Sequence, residues 1–165
     1  MAPSTSSGSS VGPPLLGALM RMPVDEMRAR MLAALHARGF DDLIPAHMIV
    51  LRYPGPDGLR PVEVAARSGM SKQALNYLLG QLEDAGYLER VDDPDDRRSK
   101  RVRVTDRGYA AIEVMRAAVA EVEKEFRQAF GKEDLKVLRD LLTRLNVVLG
   151  TQPGPAPGDR PVRSR

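Results

Sequence analysis

At 165 residues the chain suits one domain with short tails. Its formal charge of +3 and pI of 9.4 make it mildly basic, which on its own is a weak pointer to nucleic acid. The lack of cysteine excludes disulfides, thiolate metal sites and thiol-based oxidant sensing.

No apolar run is long enough to span a bilayer. The first residues lack the basic start and apolar segment of a secretion signal, so a cytoplasmic location is expected. Residues 1–12 are mostly Ser, Gly, Pro and Ala and have little to bury, which predicts disorder. Pro13 to Ala37 reads as helix. Leu15, Leu16 and Leu19 form one apolar patch, and Met27, Met31 and Leu35 form another at spacing four. Pro23 lies between them, so this is one kinked helix or two successive helices. The methionine face fits either a core or dimer contact or an adaptable pocket. Gly39 ends the segment, and Pro45 suits the first position of a short helix running to Tyr53. The Pro54–Gly58 loop stops that helix, and Leu59-Arg60 fits a short strand. His36 and His47 are the only histidines and lack the spacing of a metal site.

The segment PVEVAARSGM is a second short helix ending at Ser68-Gly69, and Ser71 is a good N-cap for a third. Helix, tight turn with glycine, helix is a helix-turn-helix. In the third helix, Ser71 to Ala85, Leu75, Leu78, Leu79 and Leu82 recur three and four apart and share a face. Gln73, Asn76, Tyr77 and Gly80 fall on the opposite face. Gln and Asn amides can each make two hydrogen bonds to an adenine edge, and Gly80 leaves room for a close neighbour. Gly86 suits a left-handed C-cap. Tyr87–Val91 then reads as a strand, DDPDDRRSK as a turn, and Arg101–Val104 as a returning strand with one apolar and one basic face. A hairpin directly after a helix-turn-helix is a winged helix.

Across this stretch, LERVDDPDDRRSKRVRVTDRG resembles the wing of the multiple-antibiotic-resistance regulator (MarR) family, in its Gly-Tyr-Leu-Glu-Arg start, Asp-Pro-x-Asp-Arg-Arg turn and Val-Thr-x-x-Gly exit. The likeness is specific over roughly residues 60–110. It implies a dimeric transcription factor whose wing enters the minor groove. The inserted arginine would be Arg98, with Asp96 holding its guanidinium in place. Narrow A-tract grooves are strongly negative and attract such a side chain. Many relatives carry an arginine where Tyr77 stands, so guanine reading there is not carried over. The resemblance also implies an effector pocket for small, often aromatic, anions, near Met27, Met31, His47, Met48 and Arg52.

Thr105 is a reasonable N-cap for a long helix. Ile112, Met115, Val119, Val122 and Phe126 form a seam at spacings of three and four. Gly131 interrupts it, and Leu135, Leu138, Leu142, Leu145 and Leu149 resume the rhythm. These faces exceed what one winged helix needs for its core. Either they cover each other within one chain, or they join two copies, and the resemblance favours the dimer. Residues 150–165, rich in Pro and Gly with three arginines, fit a disordered solubilising tail that adds at most non-specific phosphate attraction.

The expected fold is therefore mainly α with a small β-hairpin wing: a winged helix-turn-helix at 45–108, flanked by dimerisation helices at 13–44 and 109–149. The expected partners are a second copy, palindromic double-stranded DNA and a small effector, with no membrane and no cofactor. Gln73, Asn76 and Tyr77 would meet base edges, and Ser71 and Lys72 phosphate or base. Arg97, Lys100 and Arg101 would add phosphate contacts that position without specifying. The function expected is a repressor released by its effector. The alternative is a winged helix used as a protein-interaction module. No nucleophile elbow, phosphate loop, dinucleotide fingerprint or paired-histidine zinc motif points to an enzyme.

Overall fold

Prolines open two helices of the chain. The computed structural model describes residues 13–54, 57–96 and 98–151. Helix α1 spans Leu16–His36, α2 Pro45–Leu51, α3 Pro61–Ser68 and α4 Lys72–Asp84. Pro45 and Pro61 each take a first helical position, where the missing N–H would have had no partner in the helix. Strand β1 is Leu88–Asp92, β2 is Lys100–Val104, and α5 is Asp106–Val148. Pro23 lies inside α1, which continues through it as one helix. Gly131 has φ 77° and ψ 172°, so α5 is two helical segments joined at a break, as the leucine rhythm predicts.

The end of α4 is set by local chemistry. Gly86 takes φ 75°, its N–H donates to Glu83 O, and the Tyr87 N–H donates to Leu82 O. These two bonds satisfy carbonyls the last turn would leave open, in the Schellman arrangement. The chain then enters the hairpin, where β1 and β2 pair antiparallel with Leu88 opposite Val104 and Arg90 opposite Val102. Leu59 joins the sheet through a single bridge to Val102, so the expected third strand is two hydrogen bonds long.

The core lies under the winged helix. Leu75, Leu79 and Leu82 of α4 meet Val50 and Leu51 of α2, Val64 of α3, the strand residues Leu88 and Val102, and Ile112 of α5. Each such side chain contributes about 1.5–3 kcal/mol by leaving water, so this cluster dominates the stability of the fold. Gly108, in the first turn of α5, lets that helix press onto the hairpin. A Cβ there would lie 2.7 Å from Val104 Cγ1 and closer still to the Tyr87 carbonyl. The glycine of the wing exit is thus a packing requirement.

The two seams of α5 fare differently. Ile112, Met115 and Val122 are buried, and α1 packs on α5, with Arg30 Nη1 donating to Glu125 Oε2 at 2.6 Å. Leu138, Leu142 and Leu149 are exposed, as are Phe130, Val137 and Leu141. Leu16, Leu19 and Met22 at the start of α1 are also exposed. Self-coverage therefore accounts for most of the first seam, while in the second Leu135 and Leu145 are half-buried and the other three leucines are left open. No helix of the described residues is long and apolar enough to cross a membrane.

Candidate nucleic-acid interface and adjoining cavity

Helix α4 presents the outward face its sequence predicts. Ser71 Oγ accepts from the Ala74 N–H at 3.2 Å, capping the helix. Lys72, Gln73 and Asn76 are exposed, and Tyr77 is 68 % exposed although it is large and aromatic. Nothing lies within 4 Å of a Cβ placed on Gly80. The fold therefore gives no packing reason for a glycine inside this helix, where it costs ~1 kcal/mol relative to alanine.

One side chain on this face is tied inward, and the sequence reading passed over it. Gln81 Nε2 donates to the Tyr77 hydroxyl at 3.2 Å, while Gln81 Oε1 lies 3.0 Å from His47 Nε2 on α2. His47 Nδ1 accepts from the Ile44 N–H at 3.4 Å. Gln81 stands four residues after Tyr77, on the same helical face, which is the signal that could have found it.

The wing departs most from expectation. Its basic face is largely neutralised. Lys100 Nζ is 2.5 Å from Asp92 Oδ1, and Arg103 Nη2 is 2.8 Å from Glu89 Oε1. Arg101 lies 3.1 Å from Asp93 and 2.8 Å from Asp95, with about a fifth of its side chain exposed. Lys100 and Arg101, expected on phosphates, are thus held by carboxylates of the same hairpin. The reason is the register: each basic residue of β2 sits opposite or beside an acidic residue of β1 or the turn. Arg98 is exposed, and its guanidinium has no ion-pair partner among the described residues. Arg97 lies outside the described residues.

Asp96 also acts differently from its expected role. Its carboxylate accepts from the Arg98 backbone N–H at 3.0 Å and from Ser99 Oγ at 2.7 Å. It shapes the turn that carries Arg98 rather than clamping the guanidinium, because an Asp two residues back is in reach of the backbone N–H first. Those two donors hold its carboxyl below its ordinary range.

The base of the wing is pinned by Asp93. Its side chain is fully covered. Arg60 Nε, just before α3, donates to Asp93 Oδ2 at 2.5 Å, and the Asp95 N–H donates to Oδ1 at 3.0 Å. Arg101 Nε approaches the same Oδ2 without a well-aligned hydrogen bond, as an ion contact. Asp93 is covered by its own arginines rather than sunk in the core. The Arg60 guanidinium, then Arg101, holds its carboxyl far below the usual carboxylate range. In the sequence Asp93 is one of four aspartates in a turn, and nothing there separates it from the others.

A cavity of 510 Å³ lies between α1, α2 and α5. Of the five residues expected near an effector pocket, Met31, Met48 and Arg52 line it. Met27 and His47 do not: His47 sits on the side of α2 that faces α4, and is used by Gln81. Arg28, Arg116 and Glu123 join the lining and were missed, because only the tertiary fold brings α1 and α5 to α2. Arg28 and Arg116 pair with Asp25 and Glu113 at 3.6 and 2.9 Å, so Arg52, beside Met31, Met48 and Met115, is the lining guanidinium with no carboxylate partner among the described residues. Among the described residues no group of three His, Asp or Glu side chains is placed to hold a metal ion.

Residues 41–99 match the sequence profile of the MarR family. Over 111 residues the chain is 32 % identical to the HTH-type transcriptional regulator PecS of Dickeya dadantii (strain 3937); the match covers 67 % of this chain and 64 % of PecS. It thus spans under two thirds of that relative's length. Among solved structures, the transcriptional regulator Tm0710 of Thermotoga maritima superposes with a TM-score of 0.56 at 25 % identity, over 81 % of this chain and 93 % of that one. Wild-type apo MarR of E. coli superposes with a TM-score of 0.62 at 23 % identity, over 81 % and 98 %, and so shares the fold. With its recognition-helix geometry, its hairpin wing and these matches, the chain belongs to the MarR family of winged-helix proteins.

Proposed function

We propose that the protein is a homodimeric, sequence-specific, double-stranded-DNA-binding transcriptional regulator, acting as a repressor that a small effector releases. The observation that carries this reading is the outward face of α4. Gln73, Asn76 and Tyr77 are exposed on a helix whose other face is fully buried. Amides at these positions suit base edges in a major groove. Ser71 and Lys72, at the N-terminal end of the same helix, suit phosphate or base. On the wing, Arg98 is the minor-groove residue, and Arg97 adds a phosphate contact. Lys100 and Arg101 serve chiefly to shape the wing. Two copies joined through the exposed apolar faces of α1 and α5 would present two such helices to a palindrome, with half-sites ~34–36 Å apart. PecS and Tm0710 are both described as transcriptional regulators, which supports a regulator rather than an enzyme.

The test is binding of the purified protein to its own upstream intergenic DNA and to a scrambled duplex, by fluorescence anisotropy across a salt series. The native duplex should win by ~10³ or more, and Asn76→Ala should erase most of that margin. Equal weak binding of both duplexes would favour the protein-interaction module instead. The effector part has its own check. An aromatic carboxylate such as benzoate should raise the melting temperature of the wild type, and Met31→Ala and Arg52→Ala should reduce that shift. A shift unchanged in both variants would remove the cavity from the scheme.

A further inference from the structure

We infer that Gln81 and His47 are positioning residues that fix the Tyr77 hydroxyl as a hydrogen-bond donor to DNA. The inference rests on the DNA-binding reading of α4 and adds to it the polarity of one contact. The relay starts at a backbone amide. The Ile44 N–H can only donate, and it points at His47 Nδ1, 3.4 Å away. Nδ1 of neutral His47 is therefore the acceptor, and Nε2 carries the proton. That N–H needs an acceptor, and Gln81 Oε1 lies 3.0 Å from it. With its oxygen turned toward α2, the Gln81 amide turns its NH₂ toward Tyr77, and donates to the hydroxyl at 3.2 Å. The reverse amide orientation would need Nε2 as acceptor and would set an Nδ1–H against the Ile44 N–H. One amide at the start of α2 thus selects a tautomer, the tautomer selects an amide orientation, and the amide occupies the hydroxyl as an acceptor.

The consequence lies at the surface. A hydroxyl has one proton to give, and Gln81 does not take it. Tyr77 is 68 % exposed, so its O–H is free to donate outward. The partner must be an acceptor: guanine N7 or O6, adenine N7, thymine O4, or a phosphate oxygen. The cytosine amino group, a donor, does not fit. Recognition at this position is thereby set from α2, the helix whose Met48 lines the cavity.

Two measurements test this. The first is a double-mutant cycle of Gln81→Glu and Tyr77→Phe on a duplex carrying the site footprinted in the protein's own upstream DNA. Gln81→Glu still accepts from His47 but offers Tyr77 a carboxylate, which captures the hydroxyl proton. With Tyr77 in place it should weaken binding about tenfold more than it does in combination with Tyr77→Phe, where only its charge acts. Additive effects would overturn the positioning role, as would Tyr77→Phe binding like wild type. Substituting each base pair in turn separates the acceptors: a coupling lost at one base pair marks a base, and one kept at all of them marks a phosphate. Failure of the wild type to prefer this duplex over a scrambled one would overturn the DNA-binding reading as well, so the two failures are distinguishable. The second measurement needs no DNA. Long-range ¹H–¹⁵N correlation spectra of the full chain should show neutral His47 protonated at Nε2; protonation at Nδ1 would overturn the proposal.

Discussion

Asp93 illustrates how much one side chain can organise. Its carboxylate ties Arg60, ahead of α3, to Arg101 of β2 and to the backbone of the turn. Its folded-state proton affinity is depressed, so it contributes stability that is fully present above its unfolded value of about 4 and is lost as pH falls below that. Asp93→Asn should therefore lower the melting temperature at pH 6–7, and the gap from wild type should narrow below pH ~4. A gap independent of pH would mean that packing, not charge, is what Asp93 supplies. Gly80 is the opposite kind of residue, one the fold does not need. Gly80→Ala should raise the melting temperature by about 2–4 °C, as ~1 kcal/mol does for a chain of this size. If α4 lies against DNA, the same change should weaken specific binding. Unchanged affinity would show that no partner approaches that closely.

Among the elements, α4 and the wing contrast. In α4 the sequence period and the burial pattern coincide, because a helix presents its faces by a fixed rotation per residue. The four leucines are buried and the polar face is out, as their spacing requires. In the wing, alternation correctly places Val102 and Val104 inside. It does not tell which arginines are free, because that depends on which strand lies opposite and in what register. Lys100, Arg101 and Arg103 are paired with carboxylates, which leaves Arg98, among the described residues of the wing turn, without a carboxylate partner. Arg98→Ala should weaken binding mainly at sites with AT-rich flanks, measured by anisotropy on paired duplexes. An equal loss on GC-rich flanks would count against groove insertion.

For the whole molecule, the open question left by the sequence was whether the flanking helices cover each other. Ile112, Met115 and Val122 of the first seam are buried within the chain, whereas Leu138, Leu142 and Leu149 of the second are exposed. Leu138 and Leu142 remain 44 % and 40 % exposed on one stretch of helix, with Val137 and Leu141 exposed beside them, and contiguous apolar surface of this kind suits an interface. Leu138→Asp combined with Leu142→Asp should shift the protein to a monomer in sedimentation velocity and abolish cooperative binding to a palindrome. A dimer that survives both changes would place the interface elsewhere.

The sequence by itself determined the local elements: the capped helices, the glycine stop after α4, the hairpin, the break at Gly131 and the outward residues of the recognition helix. These follow from periodicity and backbone chemistry, which act over a few residues. Only the tertiary structure decided the pairings. Asp93 with Arg60, His47 with Gln81, and Arg28 with Arg116 around one cavity join residues far apart in the chain. Charge and hydrogen-bond partners are chosen by distance in space, and a single sequence carries no record of that distance until the core has closed.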